Sequence, residues 1–200
     1  DSALKAGETA TITFTLSEGS TDFVADDITV SGGSIGSFTA VSSTVYTAVF
    51  TPSTSSTAPG VISVAGDKFT DAAGNANTSG SLTLAVDTVV PTISITSNDS
   101  ALKAGETATI TFTLSEESTD FGVDDISVSG GTIKDFTGSG ASYTATFTPE
   151  ENSTASGLIS VDTSSFIDAA GNANTSGSLM LAVDTAVSYT HLTLPTIRTV

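Results

Sequence analysis

The sequence predicts an all-β protein of two tandem sandwich domains, and three observations carry that expectation. The segment DSALKAGETATITFTLSE occurs twice without change, from Asp1 and again from Asp99. Runs that alternate strictly between apolar and polar residues recur in both copies. No stretch sustains the apolar period of a helix. The duplication extends from Asp1–Asp87 onto Asp99–Asp184, with a one-residue deletion near Val41. Its period of roughly 98 residues is far longer than a solenoid repeat and close to one small all-β domain.

Each expected strand follows from local chemistry, taken in the order of the second copy. Strand A is expected over 92–97, where Ile93 and Ile95 alternate with Ser and Thr. Strand B spans 107–114, in which Ala, Ile, Phe and Leu alternate with Thr; one face is buried and the other wet. The same pattern stands at 9–16. Strands C (125–129), D (132–137), E (143–148), F (158–166) and G (178–183) follow. Turn signals separate them at Asn98-Asp99-Ser100, Gly130-Gly131, Gly138-Ser139-Gly140, Ala170-Gly171-Asn172 and Ser176-Gly177. About seven short strands in ~97 residues is the count of an immunoglobulin-like sandwich. Phe23/Phe121, Phe38/Phe136, Tyr46/Tyr143 and Phe50/Phe147 read as core or edge packing.

Boundaries follow from the repeat. Residues 1–87 form repeat 1, which begins at the equivalent of Asp99 and is expected to lack strand A. Residues 88–185 form a complete repeat 2. Between them, Asp87-Thr88-Val89-Val90-Pro91 is the linker, and Pro91 forbids a helix there. Residues 186–200 leave the repeat pattern, and SYTHLTLPT resembles translated sequencing-adapter read-through, so this tail is expected to be non-native. It holds His191 and Arg198, so neither carries a functional argument.

Composition narrows the function classes. Twenty-two acids against five bases give a net charge of −17, a surface that repels nucleic acid and anionic lipid. No apolar run approaches the ~20 residues that span a bilayer, so membrane insertion is not expected. With no cysteine, disulfides and thiolate metal sites are excluded. Without His191, no base remains to activate a Ser or Thr nucleophile. The Gly-Gly pairs lack the spacing of a phosphate-binding loop and read as strand C–D turns. The chain is expected not to be an enzyme.

The carboxylates are the informative polar residues. In an immunoglobulin-like sandwich the B–C and F–G loops gather at the pole where the chain enters. In repeat 2 the B–C loop carries Glu116 and Asp120 and leads to Asp124-Asp125. The F–G loop carries Asp168, Asn172 and Asn174, and the incoming linker carries Asp87. Three segments thus bring hard oxygens to one domain junction, which suits calcium and its six to eight oxygen ligands. Repeat 1 offers Glu18, Asp22, Asp26, Asp27, Asp71 and Asn75 without the linker aspartate, and Asp184 is the linker aspartate for a following domain. A second reading stands beside this one. Asp and Asn favour turns because they bond their own backbone, so DAAGN reads equally as turn chemistry and Asp124-Asp125 as a surface flank of strand C.

The run PTISITSNDSALKAGETATITFTLSE…DFGVDDISVSGG…YTATFTP…FIDAAGNANTSGSLMLAVDT resembles the bacterial Ig-like repeats of giant surface adhesins and biofilm-associated proteins. The resemblance covers residues 1 to about 185. It implies a stalk on the bacterial cell surface that holds a terminal binding domain away from the cell, with calcium stiffening the junctions. The positions that match are Asp87, Glu116, Asp168 and Asn172, with Asp184, Glu18, Asp71 and Asn75 as partial sites. The expected partners are neighbouring repeats of the same chain, and any glycan or protein target is met by other parts of the full-length protein. The rival expectation is a module that itself grips a glycan or host protein, which exposed aromatic loops differing between repeats would signal. The loops here are small, polar and nearly duplicated.

Overall fold

The computed structural model describes residues 3–189, so most of the non-repeat tail, with His191 and Arg198, lies outside the described residues. The chain divides into two compact units: Asp1–Pro91 with Ile167–Asn174, and Thr92–Phe166 with Thr175–Val200. Both are all-β. Among the described residues no helix is long and apolar enough to cross a membrane.

In the first unit, β1 (Ala3–Leu4), β2 (Ala10–Thr15), β3 (Ile28–Ser31), β4 (Gly33–Ala40), β5 (Val45–Pro52), β6 (Gly60–Val64) and β7 (Gly80–Val86) form two sheets. Their orders are β2-β5-β4 and β1-β7-β6-β3. The second unit contains β8 (Ile93–Ser97), β9 (Ala101–Lys103), β10 (Ala108–Ser118), β11 (Ile126–Ser129), β12 (Gly131–Pro149), β13 (Gly157–Val161) and β14 (Gly177–Asp184). Here the orders are β12-β10-β8 and β11-β13-β14-β9. Strands A, B and E thus share one sheet and C, F and G the other, the arrangement of an immunoglobulin-like sandwich. Pairing is antiparallel except where β1 meets β7 and β9 meets β14.

Burial follows the alternation. In β10 the apolar residues Ala108, Ile110, Phe112 and Leu114 are buried, and the threonines between them are exposed or half-buried. Phe147 is fully buried, and its ring lies where Gly157 leaves room: a Cβ on Gly157 would stand 2.6 Å from the Phe147 Cζ. Phe50 fills the same place beside Gly33 and Gly60. Burying such a ring contributes about 1.5–3 kcal/mol. Around it, Phe121 meets Tyr143 edge to face at 5.0 Å, as Phe23 meets Tyr46.

Several boundaries depart from the expected ones. A single 3-10 turn at Val123–Asp125 precedes strand C, which therefore begins at Ile126 and not at Asp125; Asp125 Oδ2 accepts the Gly122 amide at 2.7 Å and closes that turn. Asp27 does the same for the Val24 amide. Strand F stops at Val161 instead of 166, because the chain turns at Asp162–Ser165 with Ser164 at φ 62°. Strands D and E form one unbroken element, β12, which passes its bend through Gly138 (φ 144°) and Gly140 (φ 65°). The short parallel strands β1 and β9 were not expected; their two or three residues are too few to show alternation.

The two units differ along one sheet edge. In the second, β8 runs antiparallel along β10, and one continuous core includes Ile93, Ile95, Phe112, Leu114 and Phe166. In the first, among the described residues, β2 pairs only with β5, so strand A has no counterpart. The core there separates into two clusters, and Phe14, Leu16 and Phe69 are only half-buried.

Candidate metal centre

The strongest candidate residues stand on the loop 167–174, which belongs to the first unit. A one-pair bridge between Ile167 and Ala173 pinches the loop shut. Inside it, Asp168 Oδ1 accepts the amides of Ala170 and Asn172 at 2.9 Å each, and Oδ2 accepts the Asn172 side-chain amide at 2.9 Å. Gly171 supplies the left-handed residue, φ 86°, that this tight turn demands. The turn chemistry expected of DAAGN is therefore present, and it aims the aspartate.

Asn172 does more than close its own loop. Within the first unit its Oδ1 accepts the Ala6 amide at 2.7 Å, and its Nδ2 also donates to the Asp87 carbonyl at 3.0 Å. Only 2% of Asn172 and 6% of Asp168 is exposed, so each hydrogen bond replaces water that is no longer there. Asn172 is thus a brace that fixes the linker aspartate beside the loop aspartate. Carboxylate oxygens of Asp87 and Asp168 lie within 4.8 Å of one another. Two anions at that spacing repel, and a hard cation relieves the repulsion.

The other predicted residues stand on other segments of the chain. Glu116 is half-buried near the end of β10 in the second unit, beyond Leu114. Asp120 accepts the Ser118 hydroxyl at 2.6 Å. Asp184 ends β14 opposite Lys103 and is exposed. Glu18 is exposed after β2. In the first unit Asp71 repeats the device of Asp168, accepting Ala73 and Asn75 amides at 2.8 Å and the Asn75 side chain at 2.8 Å. That side chain, then the Asn75 amide, holds the Asp71 carboxyl below the ordinary carboxylate range. Asp22 acts as a clasp: it takes the Ser20 hydroxyl at 2.6 Å, and the Thr70 amide and hydroxyl at 3.0 Å each. The Ser20 hydroxyl, followed by the Thr70 amide, lowers its pKa.

One set of polar residues escaped the sequence reading. Thr88 and Thr185 are 4% exposed, and each sews the chain just beyond strand G to the E–F connection of the same sandwich. Thr88 Oγ1 donates to the Ser53 carbonyl at 2.7 Å and accepts the Ser56 amide at 3.0 Å. Thr185 Oγ1 donates to the Glu150 carbonyl at 2.6 Å and accepts the Ser153 amide at 2.9 Å. The available signal was the closing VDT in both copies: a buried Val, the linker Asp and this threonine clasp.

Comparison with known proteins agrees with the sandwich. The model of a family described as bacterial Ig-like domain matches residues 1–86 and again 87–185. Among solved structures, the Escherichia coli adhesin FdeC is similar over 92% of this chain and 62% of its own, at 18% identity and TM-score 0.49. The Yersinia pseudotuberculosis adhesin InvE is similar over 92% of this chain and 57% of its own, at 12% identity and TM-score 0.36. For InvD of the same organism the shares are 96% and 58%, at 20% identity and TM-score 0.34. The chain thus spans roughly three-fifths of each of these structures. No curated protein sequence matches it.

Proposed function

Because the chain belongs to the bacterial Ig-like domain family, we propose that its units are spacer repeats in the stalk of a bacterial surface adhesin. The observation that carries this reading is the duplication itself: sandwich, loops and clasps are copied together, down to DAAGNANTSGSL in both repeats. Copying a whole module lengthens an array, whereas recognition of a ligand calls for loops that diverge. The full chain is therefore expected to bind nothing on a glycan array or on immobilised host matrix proteins. Saturable binding abolished by loop substitutions would overturn the spacer reading in favour of a recognition module.

The stalk is stiffened by calcium at the domain junction, held by the carboxylates of Asp87, Asp168 and Glu116 while Asn172 fixes the loop. The braced pair Asp87–Asp168 supports this reading, since hydrogen bonds hold both residues in place before any ion arrives. Asp184 supplies the linker carboxylate toward a following repeat. A ligand present at ~100 times its Kd stabilises the folded state by about 2.7 kcal/mol. Calcium titrated into chelator-treated chain is expected to raise its melting temperature and to align the two domains in solution scattering. No change in either at millimolar calcium would sink the metal without touching the spacer.

A further inference from the structure

Asn77, Asn98, Asn152 and Asn174 each stand two residues before a serine or threonine. An Asn-X-Ser/Thr triplet is the acceptor pattern for an N-linked sugar, provided that the asparagine reaches the surface. The structure separates the four. Asn174 is 3% exposed. The Asn77 Nδ2 donates to the carbonyls of Ala65 and Thr78 at 2.8 and 2.9 Å, and its Oδ1 accepts the amides of Lys68 and Phe69. Asn98 Oδ1 accepts the Thr109 amide at 2.7 Å, which fixes that side chain against β10. Asn152 alone combines exposure with a side-chain amide that bonds no group among the described residues.

Asn152 stands in the turn between β12 and β13, at φ 53°. Behind it, the Ser153 amide donates to Thr185 Oγ1 at 2.9 Å, and the Ser153 carbonyl accepts the Thr185 amide at 2.9 Å. The triplet is thus presented on a fixed base, with Thr154 exposed beside it. Asparagine tolerates the left-handed region, which by itself would explain an Asn here. The first unit removes that explanation, because the equivalent turn holds Ser55 at φ 50°. Where the first unit reads Ser53-Thr54-Ser55-Ser56-Thr57, the second reads Glu150-Glu151-Asn152-Ser153-Thr154. Three successive changes complete the triplet and set carboxylates ahead of it. Glu150, two residues before Asn152, is exposed. At that distance the other three asparagines have Asn75, Thr96 and Asn172, none of them acidic.

We infer that Asn152 is the acceptor for an N-linked oligosaccharide, delivered from a lipid-pyrophosphate donor by an oligosaccharyltransferase. The Thr154 hydroxyl and the Glu150 carboxylate are the handles by which the transferase holds the turn, the carboxylate through a charge-assisted bond to a cationic side chain. In the transfer, Asn152 Nδ2 forms a bond to the anomeric carbon of the first sugar. The bond from that carbon to the pyrophosphate oxygen breaks, and the pyrophosphate leaves with the electron pair. One Nδ2 proton passes to a base on the transferase.

The test incubates the folded full chain with a purified bacterial oligosaccharyltransferase and a lipid-pyrophosphate oligosaccharide, and maps the product by peptide mass. A parallel arm supplies UDP-glucose and a soluble Asn-specific transferase. One glycan per chain is expected from the lipid donor, on Asn152. Thr154→Ala leaves Asn152 in place and should abolish transfer. Glu150→Gln should slow it about tenfold or more, the worth of one charge-assisted bond. Both changes lie on the surface and keep the backbone bonds to Thr185, so a loss reports recognition and not folding. No transfer to the folded chain, transfer to Asn77, Asn98 or Asn174, equal transfer to parent and both variants, or transfer from UDP-glucose in place of the lipid donor would each overturn the inference.

Discussion

Replacing Gly177 and Gly80 by alanine, one at a time, should move stability in opposite directions although the two positions are equivalent. In β14 the new methyl of Gly177→Ala would stand 2.7 Å from Ile93 Cγ2 and 2.8 Å from the Ile93 carbonyl oxygen. The methyl could yield, but the carbonyl belongs to β8, whose pairing to β10 holds it. Overpacking of this kind costs about 1–3 kcal/mol. At Gly80 nothing lies within 4 Å, and neither glycine has a positive φ. Alanine there reduces the freedom of the unfolded chain and contributes about 0.4–1 kcal/mol. The pair should therefore differ by about 2 kcal/mol. Because a two-domain chain need not unfold in one step, amide exchange should be read separately on β13–β14 and β6–β7. Faster exchange is expected in the first case and unchanged or slower exchange in the second. Equal effects at both sites would refute the claim that the contact with β8 is what sets the two glycines apart.

Two further outcomes follow from the polar clasps. Thr88→Val keeps the shape but removes the donor to Ser53 and the acceptor for the half-buried Ser56 amide, and should cost about 1–3 kcal/mol in denaturant unfolding; Thr88→Ser should recover most of the loss. Asp22 and Asp71 have folded-state pKa values below their ordinary ones, so their stabilisation is complete above the unfolded value and disappears as pH falls through the folded value. The first unit should thus lose stability progressively below about pH 4, and Asp22→Asn should flatten that acid limb in a pH series of denaturant midpoints.

The sandwich was legible because its strongest strands are half-buried, and half-burial writes itself into sequence as alternation. Ile110, Phe112 and Leu114 could be placed on the inner face before any contact was known. The repeat supplied the rest, since turns copied with the strands marked the unit. Strand F ends at Val161, short of its expected span, because the positive φ at Ser164 marks a turn that serine, neutral toward strand, does not announce. Strands β1 and β9 were missed because their pairing lies with β7 and β14, some 80 residues away in sequence. At the candidate centre, residue types sufficed to single out Asp87, Asp168 and Asn172. The division of labour among them was not legible. That Asn172 braces the linker depends on which backbone groups reach it, and Ala6 carries no side-chain signal at all.

The parallel contact of β9 with β14 has a mechanical consequence. Ala101, Leu102 and Lys103 lie opposite Ala182, Val183 and Asp184, with both strands running the same way. Tension that enters near the start of β9 and leaves after the end of β14 pulls the two strands oppositely along their length. The bonds between them then carry the load together, in shear, instead of opening one after another from an end. The apolar pair Leu102 and Val183, buried beneath those bonds, must slide as a unit before the ladder yields. A short patch of parallel strand thus lets a small sandwich with no covalent crosslink resist being drawn out.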